Sequence, residues 1–187
     1  MKYCSQCGAS VIIRIPEGDN MPRHICDDCN TIHYQNPKVV NGCIGEWDNK
    51  ILLCKRAIEP RYGLWTLPAG FMENGETTQE GAMRETWEEA CATMSDVSLY
   101  GLFSLPHINQ VYVMFRGSVI DGKASAGNES LDVGFFAEED IPWDELAFPV
   151  IKESLELYFA DRKRGVFTAK LGDIVRHADQ SLEIKRY

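Results

Sequence analysis

No run in this sequence is apolar for long enough to cross a bilayer. No hydrophobic leader of the secretory kind follows Met1. Positive charge is also scarce: 19 Lys and Arg stand against 28 Asp and Glu, a formal net charge of -9. That balance lacks the basic footprint of a nucleic-acid binder. It still admits a small polyanion screened locally by divalent cations. Internal repeats and low-complexity segments are absent. What remains is ordinary globular composition, 44% apolar and 25% charged over 187 residues, enough for one moderate domain and an appendage.

The seven cysteines are an odd number. Four of them form two close pairs, Cys4-x2-Cys7 and Cys26-x2-Cys29, separated by eighteen residues. This spacing matches a tetrahedral four-thiolate zinc site with no open position, hence a structural metal. Two disulfides in a secreted protein are the alternative. The missing leader and the unpaired Cys43, Cys54 and Cys91 count against it. Free thiols point to a reducing, cytoplasmic setting, and the lack of a long apolar run to no membrane partner. His24 and His33 flank the second pair; four cysteines suffice, so neither is assigned.

Residues 1–36 read as the zinc ribbon, with Pro16, Gly18, Asp19 and Asn20 in the loop between its knuckles. Tyr34-Gln35-Asn36-Pro37 leads into a domain over residues 37–162. Strands are expected at residues 39–47 and 51–56 around the turn Asp48-Asn49-Lys50, at 64–70, and at 97–105 and 111–120 around a break at 106–109. A further strand is expected at 133–137 and a helix at 148–158. Residues 163–187 read as a tail or a short helix. Periodicity alone gives mixed α and β.

Residues 70–92, GFMENGETTQEGAMRETWEEACA, carry the chemistry. Asn74-Gly75 is a turn dipeptide. Thr77 followed by Glu80 reads as a capping box, so a helix starts just after Thr77. On it Glu85, Glu88 and Glu89 fall within an arc of about 100°. Like charges so placed repel, and an all-oxygen ligand set suits a hard cation, Mg2+ or Mn2+, usually taken up with substrate phosphates. The plainer alternative is a solvated acidic face. Ala82, Thr86 and Ala90 offer a narrow strip for close packing.

Gly70, Glu76, Arg84, Glu85, Glu88 and Glu89 stand at the spacing G-x5-E-x7-R-E-U-x-E-E-x-G-U, with U a bulky aliphatic residue. In this the chain resembles the Nudix hydrolases. It departs at Thr86, Cys91 and Ala92, none a charged position; Cys91 replaces the glycine that favours a left-handed helix end, so the helix is expected to end differently without moving its carboxylates. A four-cysteine ribbon before such a domain resembles the NADH pyrophosphatases and the plant chloroplast FAD pyrophosphatases. GLWTLPAG at residues 63–70 looks most like the latter. The NADH-type downstream motif does not match SDVSLYGLFSLPHINQ at residues 95–110. Pro106 lies near the position of a proline typical of ADP-ribose hydrolases.

The resemblance implies an α/β/α sandwich with a mixed sheet. It also implies hydrolysis of an ADP-X dinucleotide, FAD or ADP-ribose first, to AMP and X-phosphate. The Gly70 carbonyl with Glu85, Glu88 and Glu89 would hold Mg2+ or Mn2+. Arg84 would orient a carboxylate, and Glu76 is a weaker candidate for the same network. The base is Glu85, or Glu129 or Asp132 on a later loop. A homodimer is expected on the same ground. Phe71, Trp65, Tyr62 and Tyr112 can stack on a base, with Phe71 first. Arg56 and Arg61 can contact phosphate. Two rivals stand beside this reading: an inactive nucleotide-sensing module, and an isopentenyl-diphosphate isomerase using Cys43.

Overall fold

Two sheets account for the strands of the computed structural model, which describes residues 1–187. The first lies in a compact unit, Met1–Pro37. It is antiparallel, in the order β1 (Val11–Arg14), β2 (Arg23–Cys26), β3 (Ile32–His33). Its core is small because the unit is small. Cys4, Ile25 and Cys26 are its buried apolar residues, and the thiols take the place of a hydrophobic centre.

The second unit, Lys38–Tyr187, is built from β4 (Lys38–Trp47), β5 (Lys50–Arg56), β6 (Trp65–Thr66), β7 (Ala69–Phe71), helix α1 (Thr78–Ala90), β8 (Met94–Leu105), β9 (Gln110–Val119), β10 (Ser130–Phe136), helix α2 (Pro149–Arg164), β11 (Lys170–Arg176) and β12 (Leu182–Arg186). The sheet runs β10-β5-β4-β9-β8-β11-β12, with β6 added on β5 and β7 on β4. It is mixed: β4 with β9 and β8 with β11 are parallel, the other pairs antiparallel.

The continuous apolar runs of β4 and β5 follow from burial on both faces. Val40, Ile44, Ile51 and Leu53 face the α2 side, where Ile151, Leu155 and Phe159 meet them. Cys43, Leu52 and Cys54 face the α1 side. There the helix offers Ala82, Thr86 and Ala90, all buried, so the narrow strip packs closely. The β4–β5 turn uses Asp48 and Asn49, both at positive φ, residue types that tolerate it.

Two expectations need correcting. Residues 163–187 are neither a tail nor a short helix: α2 runs on to Arg164 and ends at Gly165, and β11 and β12 then extend the sheet as a hairpin. Ile174 is its buried apolar side chain, and its partner strand β8 lies far upstream, so no local signal marks it. Cys91 was expected to end α1 differently from glycine. It adopts the left-handed conformation nonetheless (φ 48°), its N–H donating to the Trp87 carbonyl.

Candidate active site

The turn into α1 is fixed by the capping box. Thr77 accepts from the Glu80 N–H at 3.2 Å, and Glu80 accepts from the Thr77 N–H at 2.7 Å. Residues 70–77 are thereby anchored to the helix start, and Arg84, two turns on, gathers the acids. Its Nε and Nη2 donate to the two oxygens of Glu76 at 2.9 and 2.8 Å. Nη1 donates to Glu85 at 2.7 Å and Glu88 at 2.8 Å, and Nη2 also reaches the Phe71 carbonyl at 3.1 Å. One planar guanidinium orients three carboxylates and the loop.

The acids differ in environment. Arg84, seconded by the Glu73 N–H, holds Glu76 down at about 2. Burial raises Glu85 against the pull of Arg84. Burial pushes Glu89 up to about 8, although the Ala69 N–H donates to it at 3.1 Å; Glu85 and Glu129 add repulsion. Gly70 leaves room for the Glu85 carboxyl group, which a Cβ there would displace.

The loop after β9 folds onto the end of α1. Ser125 N–H donates to the Ala90 carbonyl at 2.8 Å and Gly127 N–H to that of Glu89 at 3.0 Å. A side chain at Gly127 would strike the Glu88 carbonyl, so only glycine lets the loop lie this close. The loop brings Glu129 into the cavity that contains Gly70, Glu85, Glu88 and Glu89. Asp132 is not brought there: it sits at a bulge in β10 and accepts from the adjacent Val133 N–H.

That cavity, about 1170 Å³, opens from the acids towards the α2 side. Arg56 and Arg61 line it, as do Phe71 and Tyr112. Arg56 is buried, its Nε donating to the Pro60 carbonyl at 3.0 Å and its Cζ 5.2 Å from the Phe148 ring centre; it forms no ion pair. Phe71 is 48% exposed with the Lys38 ammonium 4.5 Å above its ring. Trp65 packs edge-on against Phe136 in the core and Tyr62 is exposed outside the cavity; neither lines it. Cys43 lies fully buried on the α1 side, its thiol pushed up to about 11 by burial, and it does not line the cavity.

Sequence reasoning missed Trp87, His107, Phe148, Arg176 and Leu182, which also line the cavity. Trp87 could have been found: a tryptophan beside Glu88 on an acidic helix is out of place unless it faces something. The others depend on long-range pairing.

In the first unit the Sγ atoms of Cys4, Cys7, Cys26 and Cys29 lie within 4.8 Å of one another, a set that can hold one metal ion. His33 Nε2 is 3.3 Å from the Cys4 sulfur, flanking the cluster as the metal's outer support would. The hydroxyl and N–H of Thr31 draw the Cys29 thiol down to about 6, whereas Cys7, despite the Ala9 backbone contact, is pushed up to about 12 by the neighbouring thiols; a bound metal would ionise all four.

A family model described as "NUDIX domain" matches residues 37–158, and a zinc-ribbon model described as "Nudix N-terminal" matches residues 2–35. An ADP-ribose pyrophosphatase of Methanocaldococcus jannaschii is 38% identical over 121 residues, 62% of this chain and 69% of that one. A NAD-capped RNA hydrolase, NudC of Vibrio atlanticus, is 35% identical over 105 residues; the match spans 54% of this chain and only 36% of that protein. A NUDIX hydrolase structure from Nitrosomonas europaea shares 57% identity with a TM-score of 0.90, covering 94% of this chain and 99% of that one. No helix here is long and apolar enough to cross a membrane.

Proposed function

Because the chain belongs to the NUDIX domain family, we propose that it hydrolyses the pyrophosphate bond of an ADP-X compound, ADP-ribose first, releasing AMP and X-phosphate. One observation carries the reading. Glu85, Glu88 and Glu89 line one cavity of about 1170 Å³ beside a side-chain-free Gly70, with Glu85 and Glu88 held by Arg84. FAD has only the resemblance of residues 63–70 behind it.

The residues fit a hard divalent cation. The donors are all oxygen, and a carboxyl pushed to about 8 by burial is one that a cation restores to its charged form. Mg2+ or Mn2+ held by Glu85, Glu88, Glu89 and the Gly70 carbonyl would lower the pKa of water and neutralise phosphate oxygens. The chain's own residues do the rest. Arg84 keeps Glu85 and Glu88 in position. Glu129 or Glu85 takes the proton from the attacking water. Arg56, buried and without a carboxylate partner, donates to a phosphate, and Phe71 stacks on a base. Arg61, which lines the same cavity, is a second phosphate contact.

Three further parts belong to the proposal: a structural zinc, supported by the spacing and grouping of the four cysteines; a cytoplasmic setting, supported by the free thiols; and, from the family resemblance, a homodimer that sedimentation would reveal. The relative named for NAD-capped RNA favours a second reading, cleavage of an NAD moiety, against the acidic balance of the chain.

The test is product analysis with Mg2+ or Mn2+ on ADP-ribose, FAD, NADH and a nucleoside triphosphate. AMP and ribose 5-phosphate, formed fastest from ADP-ribose, is the expected result. The double variant Glu88→Gln/Glu89→Gln, with folding intact, should lose turnover. Turnover equal to the parent's would overturn the metal assignment, and cleavage of no substrate would favour the sensing module.

A further inference from the structure

Asn41, on β4, is fully buried, yet neither its Nδ2 nor its Oδ1 has a hydrogen-bond partner within the chain. A buried amide of this kind loses its hydration without return. Its neighbours along β4, Val40 and Cys43, are apolar and buried, so an apolar side chain would serve packing better.

What surrounds the amide says what it serves. Asn41 stands directly opposite Gly70 in the antiparallel β4–β7 pair. Residues so paired project to one face, about 5 Å apart. On that face Glu85 puts its carboxyl group into the space over Gly70, its atoms 2.3–2.4 Å from where a Cβ would stand. Gly81, near the start of α1, borders the other side. The point its Cβ would occupy lies 2.5 Å from Asn41 Nδ2 and 2.6 Å from Glu76 Oε1. The amide is thus set beneath two carboxylates that Arg84 holds, Glu76 and Glu85, with its N–H donors on the Glu76 side.

Glu76 has a place for it. Three donors fall on this carboxylate, the Glu73 N–H and the Nε and Nη2 of Arg84. A carboxylate accepts about four. The side-chain-free Gly81 leaves room between amide and acid for one water, which needs polar partners of this kind. We propose that Asn41 is a positioning residue for the cation-binding acids: through one enclosed water its amide fills the last place on Glu76. It thereby fixes the carboxylate that holds Arg84 and, through Arg84, Glu85 and Glu88. This rests on the pyrophosphatase reading above.

The experiment measures Mn2+ affinity by electron paramagnetic resonance, Mn2+-dependent turnover of ADP-ribose, and the urea midpoint, in the full chain and in Asn41→Leu. Leucine has nearly the shape of the amide and none of its polarity. The variant should bind Mn2+ about tenfold more weakly, as loss of a partner behind a metal ligand commonly costs. It should need correspondingly more Mn2+ for half-maximal turnover, with a urea midpoint at or above the parent's. Asn41→Ser, whose hydroxyl can still meet the water, should keep part of the affinity. On a Glu76→Gln background Asn41→Leu should add nothing, because its effect passes through that carboxylate. In the parent, the Asn41 side-chain amide protons should show a nuclear magnetic resonance cross-peak to a long-lived internal water. Lack of that cross-peak would overturn the bridge whatever the variants do. Mn2+ affinity equal to the parent's would overturn the role, as would a loss matched by a lower urea midpoint or one undiminished on Glu76→Gln. If the parent binds Mn2+ but cleaves no ADP-ribose, that reading of the substrate fails by itself and the Mn2+ titrations decide for Asn41. A parent that binds no Mn2+ removes both.

Discussion

Arg84 is the residue on which the acidic cluster turns, because a single guanidinium satisfies Glu76, Glu85, Glu88 and the Phe71 carbonyl together. Lysine has neither the fork nor the donors to replace it. Gly70 makes the complementary prediction. Its missing side chain leaves room for the flexible end of Glu85, so Gly70→Ala should fold normally while displacing that carboxylate. Turnover should fall on the order of a hundredfold, as misplacement of about 1 Å commonly costs. Far-ultraviolet circular dichroism and kcat would show whether fold and activity part in this way; full activity would mean that Glu85 needs no fixed place. These residues were legible because the motif spacing and the helical period are local. Glu129 was legible only as a charge on a loop, since its approach depends on Gly127 lying against the end of α1. Asp132, equally plausible by sequence, lost its place to a bulge.

At the level of elements, α1 declared itself through Thr77 and Glu80, whereas the hairpin did not, its burial being supplied by β8 and α2. The hairpin should therefore be sensitive at its fastenings. Asp161 is fully buried, and burial alone would raise its carboxyl. Lys170 and Arg164 instead hold it below the usual carboxylate value. A depressed folded-state value stabilises the protein above the unfolded value, and the benefit is lost as pH falls through the folded one. Stability from this group should thus be constant at neutral pH and decline in the acid range below about 4. Lys170→Met should cost about 3 kcal/mol at pH 7, the lower end for breaking a buried pair because Arg164 stays. Urea unfolding at pH 7 and pH 3 measures both. A cost unchanged at pH 3 would show that charge on Asp161 is not its source.

On the scale of the whole molecule, the two compact units rely on different sources of stability. Met1–Pro37 has little apolar burial and a four-thiol cluster. Small units of this kind fold with their metal. A zinc-selective chelator should accordingly remove hydrogen-exchange protection from β1 to β3, and added Zn2+ should restore it. Protection that survives chelation would mean that the strands stand without the ion. Lys38–Tyr187 instead holds two apolar layers, one on each face of its sheet. The glutamates ride on the helix of one layer, while Leu105, Tyr112, Phe148 and Ile174, which wall the cavity, belong to the other or extend from it. The sheet thereby separates two sets of heritable positions. Lineages descended from such a chain can drift in what they accept, by changes on the α2 side and its hairpin, while the glutamates proposed here to hold the cation stay fixed on the helix of the opposite face.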